Sequence, residues 1–437
     1  MKRTISLISS CRGKSYNEYM DKFFIIGGNP LVGEVTIDSA KNSLLPIIAC
    51  SVLIGEEVVI HNVVKYNDVL VMCDIVKSLG GKIAWQGENL IINCHDLDSC
   101  EIDSSLSSKA RASFFTLGAL LGRLKKAKIG FPGGCDIGLR PVDIHIGAIK
   151  GLGCKIVEKN GYIYADASTF HGGTVVLPFP SVGATENVMM LCASMPFRSE
   201  IIGCAKEPEI EDLANFINAC GGNVKGAGGD KIVVEGRKLH GCCYTPFTDR
   251  IEAGTFMVGC AICGGKIALN GAKSSFNASL ISKLRKIGCI LTCENDKIII
   301  ESSGRRKAVG EIETAVYPGF PTDMQSQMMT LASVCEGPSI IVEKVFENRF
   351  KTSQELIKMG ADIKVKNGVC IVQGREKLYG ADVVSPDLRG GASLVLAGLV
   401  AQGYTTLSNI NLIDRGYYKL EEKITHLGGN IKRIKSE

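Results

Sequence analysis

Ile75-Val-Lys-Ser-Leu-Gly80 has the form of a helix end, in which an amphipathic run closes on an apolar residue and a glycine. The same ending returns as Ala148-Ile-Lys-Gly-Leu-Gly153, Phe216-Ile-Asn-Ala-Cys-Gly221, Lys283-Leu-Arg-Lys-Ile-Gly288, Glu355-Leu-Ile-Lys-Met-Gly360 and Lys423-Ile-Thr-His-Leu-Gly428. Successive glycines stand 73, 68, 67, 72 and 68 residues apart, so a period near 70 holds through five intervals. A helix C-cap in the left-handed conformation favours glycine, and the residues beyond it alternate as strands do, as in Lys82-Ile-Ala-Trp85 and Asn89-Leu-Ile-Ile92. Each unit reads as helix, turn and β-hairpin.

A second helical run, apolar nearly all round, precedes each unit: Leu44 to Leu53, Ala112 to Leu121, Asn187 to Ala193, Gly254 to Ile262, Met324 to Ala332 and Ala392 to Val400. Helices of that composition must be buried. Six such units arrange as two domains of three, with these helices inside and sheets on the flanks. Polar and charged residues recur where the buried helices begin: Lys41-Asn42, Lys109 with Arg111, Ser181, Asp249-Arg250, Asp323, and Asp387 with Arg389. Capping accounts for Ser181, Asp249, Asp323 and Asp387. It does not account for Arg111 and Arg389, because a cation at a helix N-terminus opposes the dipole. Those arginines point to an anionic ligand.

At 437 residues the chain exceeds one ordinary core, which suits two or three domains. Its charge, 50 Lys+Arg against 45 Asp+Glu, is only mildly basic and forms no block, so a small anion fits better than a nucleic acid. Eighteen cysteines scattered through apolar patterns in so long a chain read as reduced cytosolic thiols, and the protein is expected in the cytoplasm. Cys260-Ala-Ile-Cys263 lacks a second pair at zinc spacing, so no metal is expected. No apolar run reaches the length of a membrane helix. Residues 1–19 read as a disordered extension, with Met20 as the native start.

Residues Pro132 to His145 read Pro-Gly-Gly-Cys-Asp-Ile-Gly-Leu-Arg-Pro-Val-Asp-Ile-His. Glycines 133, 134 and 138 give this loop freedom to move, and Pro132 and Pro141 fix its ends. A nearby cation favours the thiolate of Cys135, and Arg140 can clamp a phosphate or carboxylate. A purely structural loop with an inert cysteine is the plainer alternative.

These features together resemble a known family. Ser39-Ala-Lys-Asn-Ser-Leu-Leu-Pro46, Arg111-Ala-Ser113, the Cys135 loop, Ser181-Val-Gly-Ala-Thr185, Asp249-Arg-Ile-Glu-Ala-Gly-Thr-Phe256, Phe320-Pro-Thr-Asp-Met-Gln325, Phe346-Glu-Asn-Arg-Phe350, Asp387-Leu-Arg389 and Ile413-Asp-Arg-Gly-Tyr417 are similar to the motifs of the UDP-N-acetylglucosamine 1-carboxyvinyltransferase family. The likeness runs from about Met20 to the C-terminus. It implies an α/β fold: a two-domain inside-out α/β barrel of six βαβ-type repeats, three per domain. One domain would span 41–247 and the other 20–40 plus 248–437, with the active site in the cleft between them.

The resemblance implies transfer of the enolpyruvyl group of phosphoenolpyruvate to the 3-hydroxyl of UDP-N-acetylglucosamine with release of phosphate. That is the first committed step of peptidoglycan precursor synthesis, tied to cell shape and division and open to fosfomycin. By resemblance Cys135, Asp323 and Asp387 are catalytic, with Asp323 as base and Cys135 as proton donor to C3. Phosphoenolpyruvate would be held by Lys41, Asn42, Arg140, Arg349, Arg389 and Arg415. The nucleotide sugar would be held by Asn42, Arg111, Arg140, Pro141, Val142, Asp143, Ile144, Phe179, Pro180, Ser181, Val182, Asp323 and Val345. Asn67 and Phe179 stand where some members carry lysine, and Thr352 where histidine is frequent. Neither a metal nor an organic cofactor is implied, and the partners are these two small molecules, without nucleic acid or membrane. A paralogous transferase acting on another nucleotide or nucleotide sugar remains the alternative.

Overall fold

The computed structural model describes residues 21–133 and 141–435. Cys135, Arg140, the 1–19 segment and Met20 lie outside the described residues. Six amphipathic helices, Asn67–Ser78, Asp143–Gly151, Pro208–Ala219, Ala278–Lys286, Thr352–Lys358 and Leu420–His426, end just before the glycines read from the sequence. Gly80, Gly153, Gly221, Gly288, Gly360 and Gly428 all have positive φ, between 84° and 103°. Only glycine takes that conformation without strain, so the recurring residue is explained by backbone geometry.

The strands form six four-stranded sheets, each holding one parallel pair followed by two antiparallel pairings. In the first, Lys82–Gln86 and Asn89–Asn93 form the hairpin read from the sequence, with Lys82 opposite Asn93. The last sheet departs from a purely local pattern. Asn430–Ile434 pairs with Lys22–Ile26, so a strand from the start of the described chain completes the final sheet. Leu31–Thr36 likewise runs parallel to Gly265–Asn270, and Cys243–Tyr244 closes back on Glu57–Ile60.

Six further helices are almost wholly enclosed: Lys41–Cys50, Thr116–Leu124, Val182–Ala193, Arg250–Cys263, Gln325–Val334 and Leu388–Val400. The expected helix at Ala112 begins instead as a 3-10 turn, Arg111–Phe115, before becoming α-helical at Thr116. The last three pack against one another, and Thr116–Leu124 packs against Val182–Ala193 and Lys41–Cys50. Apolar side chains segregate into two clusters. One gathers residues from Leu44 to Leu239, the other Phe23 to Ile37 together with Ile251 to Ile431. Where the chain passes between them it does so twice, side by side: Ser39 bridges Thr248, Ala40 N–H donates to Phe247 C=O at 2.7 Å, and Asp249 N–H to Asp38 C=O at 2.7 Å.

Gly118 allows a close helix crossing. A Cβ there would come within 2.1 Å of the Asn187 carbonyl oxygen, while Asn187 Oδ1 accepts from Gly118 N–H at 2.7 Å. Helix propensity alone favours alanine at this position by about 1 kcal/mol. Overpacking opposes it, at about 1–3 kcal/mol. Gly118→Ala is therefore expected to lower stability, read as a drop in the urea midpoint with an unchanged slope. A raised midpoint would mean that the two helices separate freely.

Candidate active site

Ends of the buried helices border one cavity of about 480 Å³. Asn42, Arg111, Pro141, Asp143, Ile144, Phe179, Pro180, Ser181, Val182, Asp323 and Val345 line it, and Val142 is buried nearby without lining it. Lys41, Arg349, Arg389, Arg415 and Asp387 lie outside that lining. Asp323 connects the two sets, because it lines the cavity and also pairs with Arg349 and Arg389. Cys135 and Arg140 belong to the undescribed part of the loop.

Four polar residues were candidates for capping, and three of them cap. Ser181 Oγ accepts from Ala184 N–H at 3.4 Å. Asp249 Oδ1 accepts from Ile251 and Glu252 N–H at 2.8 and 3.0 Å, and Asp387 Oδ1 from Arg389 and Gly390 N–H, both at 2.9 Å. These bonds fix the first turns and so aim Arg250 and Arg389. Asp323 has no such role. It sits in the 3-10 turn Thr322–Met324, where no side-chain cap forms.

Instead Asp323 takes Arg349 Nη2 on Oδ1 at 2.7 Å and Arg389 Nη2 on Oδ2 at 3.3 Å. Burial by itself would raise its pKa, but Arg349, Arg389 and then Arg250 outweigh burial and hold the carboxyl well below the usual range. Arg349 Nε and Arg389 Nη1 are buried without partners. A buried donor left unbonded costs about 1–3 kcal/mol, so these two N–H groups mark a place for an acceptor.

A second cluster joins the two apolar clusters. Asp68, on the helix opened by Asn67, accepts Lys41 Nζ at 2.8 Å and Arg415 Nε at 2.9 Å. Burial raises the Asp68 pKa, yet Lys41 and Arg415 together overcome it and leave the carboxyl below its ordinary value. Across the cavity, Arg250 Nε bonds Glu209 Oε1 at 3.0 Å and lies 5.6 Å from the centre of the Tyr317 ring. Glu186, fully buried on the Val182–Ala193 helix, has neither oxygen bonded. Burial, with Glu209 and Glu207 nearby, pushes its pKa far up and favours the protonated form. Sequence reading missed Glu186, Glu207 and Glu209 as cavity groups, and Asp68 as the partner of Lys41 and Arg415. It quoted Arg250 without giving it a place in the site. The Glu207-Pro-Glu209 helix start was the signal available for two of them.

Most described thiols are poor nucleophiles. Burial pushes Cys73, Cys154, Cys192, Cys260, Cys263, Cys335 and Cys370 up to about 12.

A family model described as EPSP synthase (3-phosphoshikimate 1-carboxyvinyltransferase) matches residues 25–424. UDP-N-acetylglucosamine 1-carboxyvinyltransferase 2 of Caldanaerobacter subterraneus is 45% identical over 95% of this chain and 100% of its own length. The protein of the same name from Clostridium tetani is 43% identical, again over 95% of this chain and 100% of its own. Among solved structures, the enolpyruvyl transferase NikO from Streptomyces tendae superposes with a TM-score of 0.85 at 23% identity, covering 95% of this chain and 99% of that one. An EPSP synthase from Acinetobacter baumannii gives 0.74 at 19% identity, over 95% and 100%. Those two likenesses establish the fold as that of the enolpyruvyl transferases.

Asp68→Asn is expected to destabilise the protein at pH 7 by about 1.5–3 kcal/mol, the scale of hydrogen bonds to charged groups. A carboxyl whose folded pKa is depressed adds stability above its unfolded pKa of about 3.9, and this is lost as pH falls through the folded value. The gap between parent and variant in urea unfolding should therefore narrow below about pH 4. A gap independent of pH would assign Asp68 to packing.

Proposed function

The chain belongs to the EPSP synthase family of carboxyvinyl transferases, and from that membership we propose that it joins the enolpyruvyl group of phosphoenolpyruvate to the 3-hydroxyl of UDP-N-acetylglucosamine and releases phosphate. The observation that carries the reading is Asp323, a carboxylate that faces the cavity and is bound behind by two buried arginines. Full-length relatives named for that activity support the choice of substrates.

In this reading the sugar oxygen attacks C2 of phosphoenolpyruvate while Asp323 takes its proton. Cys135 gives a proton to C3, completing the addition. Loss of a proton from C3 then expels phosphate from C2 and restores the double bond. Arg349 and Arg389 hold the carboxylate, whose planar geometry matches their forks. Lys41, Arg140 and Arg415 hold the phosphate, and Asn42 adjoins it. Asp387 keeps Arg389 in place through its cap and is the second carboxylate of the proposed catalytic set. Arg111, Arg140, Pro141, Val142, Asp143, Ile144, Phe179, Pro180, Ser181, Val182 and Val345, with Asn42 and Asp323, hold the nucleotide sugar.

The six sheet-and-helix units are read as repeats, three in each of two inside-out barrels spanning 41–247 and 20–40 plus 248–437. The paired crossings at 38–40 and 247–249 support those boundaries. Closure of the two domains over both substrates excludes water. The product feeds peptidoglycan synthesis in the cytoplasm.

Phosphate release from phosphoenolpyruvate should depend on UDP-N-acetylglucosamine in a coupled assay, and release without the nucleotide sugar would overturn the assignment. Asp323→Asn should still bind the nucleotide sugar but turn over about 10²–10⁴ times more slowly, the usual scale for a lost general base. Near-parental turnover would remove Asp323 from that role.

Labelling tests the loop. Fosfomycin, a phosphonate epoxide, should modify Cys135 first, and faster with the nucleotide sugar bound, because the buried thiols named above stay protonated at neutral pH. Peptide mapping that spreads the adduct over other cysteines, or inactivation persisting in Cys135→Asp, would show that Cys135 is not the privileged thiol.

A further inference from the structure

Arg349 and Arg389 are each 2% exposed, and both spend one Nη2 donor on Asp323. Arg349 Nη1 reaches Thr322 Oγ1 at 3.3 Å, and Arg389 lies 5.3 Å from the centre of the Tyr417 ring. Their remaining buried donors without partners, Arg349 Nε and Arg389 Nη1, leave the two forks incompletely filled. The carboxylate they share is the most exposed member of the group. The Asp323 side chain is 26% exposed at the cavity wall, against 3% for each arginine. Asp323 is thus the ion-pair partner these two buried cations share, with open space on its other side, while Tyr417 and Asp249 also act on Arg389.

The geometry points to Asp323 as a placeholder anion: in the ligand-free protein it occupies the seat between Arg349 and Arg389 that the carboxylate of phosphoenolpyruvate takes on binding. This rests on the reading given under Proposed function. Exchange of one carboxylate for the other breaks the two Asp323 ion pairs and forms new ones to the ligand, with no covalent step. The consequence is chemical. Held by two guanidinium groups, Asp323 binds a proton poorly. Once the ligand carboxylate neutralises those cations, Asp323 faces the cavity with a higher proton affinity, and the proton of the sugar hydroxyl ends on its freed oxygen. The base is therefore armed only when its co-substrate is in place.

If Asp323 competes with the ligand for the arginines, removing it must tighten ligand binding even as turnover is lost. Phospholactate, the saturated analogue with both phosphate and carboxylate but no double bond to react, is titrated calorimetrically into the parent, Asp323→Ala and Asp323→Asn. Its carboxyl methyl ester serves as control. Both variants should bind phospholactate at least about tenfold more tightly than the parent, since a competing charge-assisted pair is gone. The ester should gain little. Asn preserves the side-chain volume, so a folding defect confined to Ala is recognised by its thermal unfolding. Unchanged or weaker phospholactate binding in Asn, an equal gain for acid and ester, or no binding to any of the three proteins overturns the placeholder. Turnover of the parent is read separately: a parent that turns over without the predicted gain loses only this inference, whereas a gain without turnover leaves the carboxylate seat and removes the proposed reaction.

Discussion

Cationic side chains held at the ends of buried helices must be balanced, because an unpaired charge taken out of water is far costlier than any cap or contact it could gain. That requirement organises the centre of this molecule. Lys41 and Arg415 share Asp68, Arg250 is matched by Glu209, and Arg349 and Arg389 divide Asp323. Each counter-ion comes from a different segment than the cation it serves, so the balance is possible only once the chain has folded. Two of the three clusters reach from one apolar cluster to the other: Asp68 to Arg415, and Glu209 to Arg250. Charge pairing thus clasps the same two bodies of structure that the Ser39 and Thr248 bridge joins through the backbone.

The raised pKa of Glu186 follows from the same constraint. Glu209 pairs with Arg250, and a further buried carboxylate beside that pair adds repulsion. Holding a proton on Glu186 removes that repulsion. Glu207, also raised by burial, is moved in the same direction. Both shifts move the acidic side of the cavity toward less negative charge than its composition suggests, which favours an anionic occupant.

Local rules made the periodic part of the fold legible. The glycines after each amphipathic helix and the all-round apolarity of the buried helices are consequences of backbone conformation and burial, and both can be read within a few residues. The pairing of Lys22–Ile26 with Asn430–Ile434 was not legible, because strand partners about four hundred positions apart leave no local pattern. The 3-10 start at Arg111–Phe115 escaped for a different reason: apolar spacing does not distinguish a tight first turn from an α-helical one. Among site residues, Arg111 and Arg389 stood out because they violate the dipole preference. Asp68 did not, since an acid in the first turn of a helix is an ordinary choice, and only Lys41 and Arg415 give it another meaning.

Asp323 shows how capping and function separate once distances are known. Ser181, Asp249 and Asp387 each point an oxygen at backbone N–H groups of the helix they open, and in doing so lose freedom to move. Asp323 precedes a helix as they do, yet its oxygens turn to arginines, and the turn beneath it is closed by backbone bonds alone. A carboxylate with no structural bond to break can change partners without unravelling a helix. The capping residues supply rigidity on either side of the cavity, and Asp323, held by arginines and capping no helix, is the residue whose partners can change without loosening a first turn.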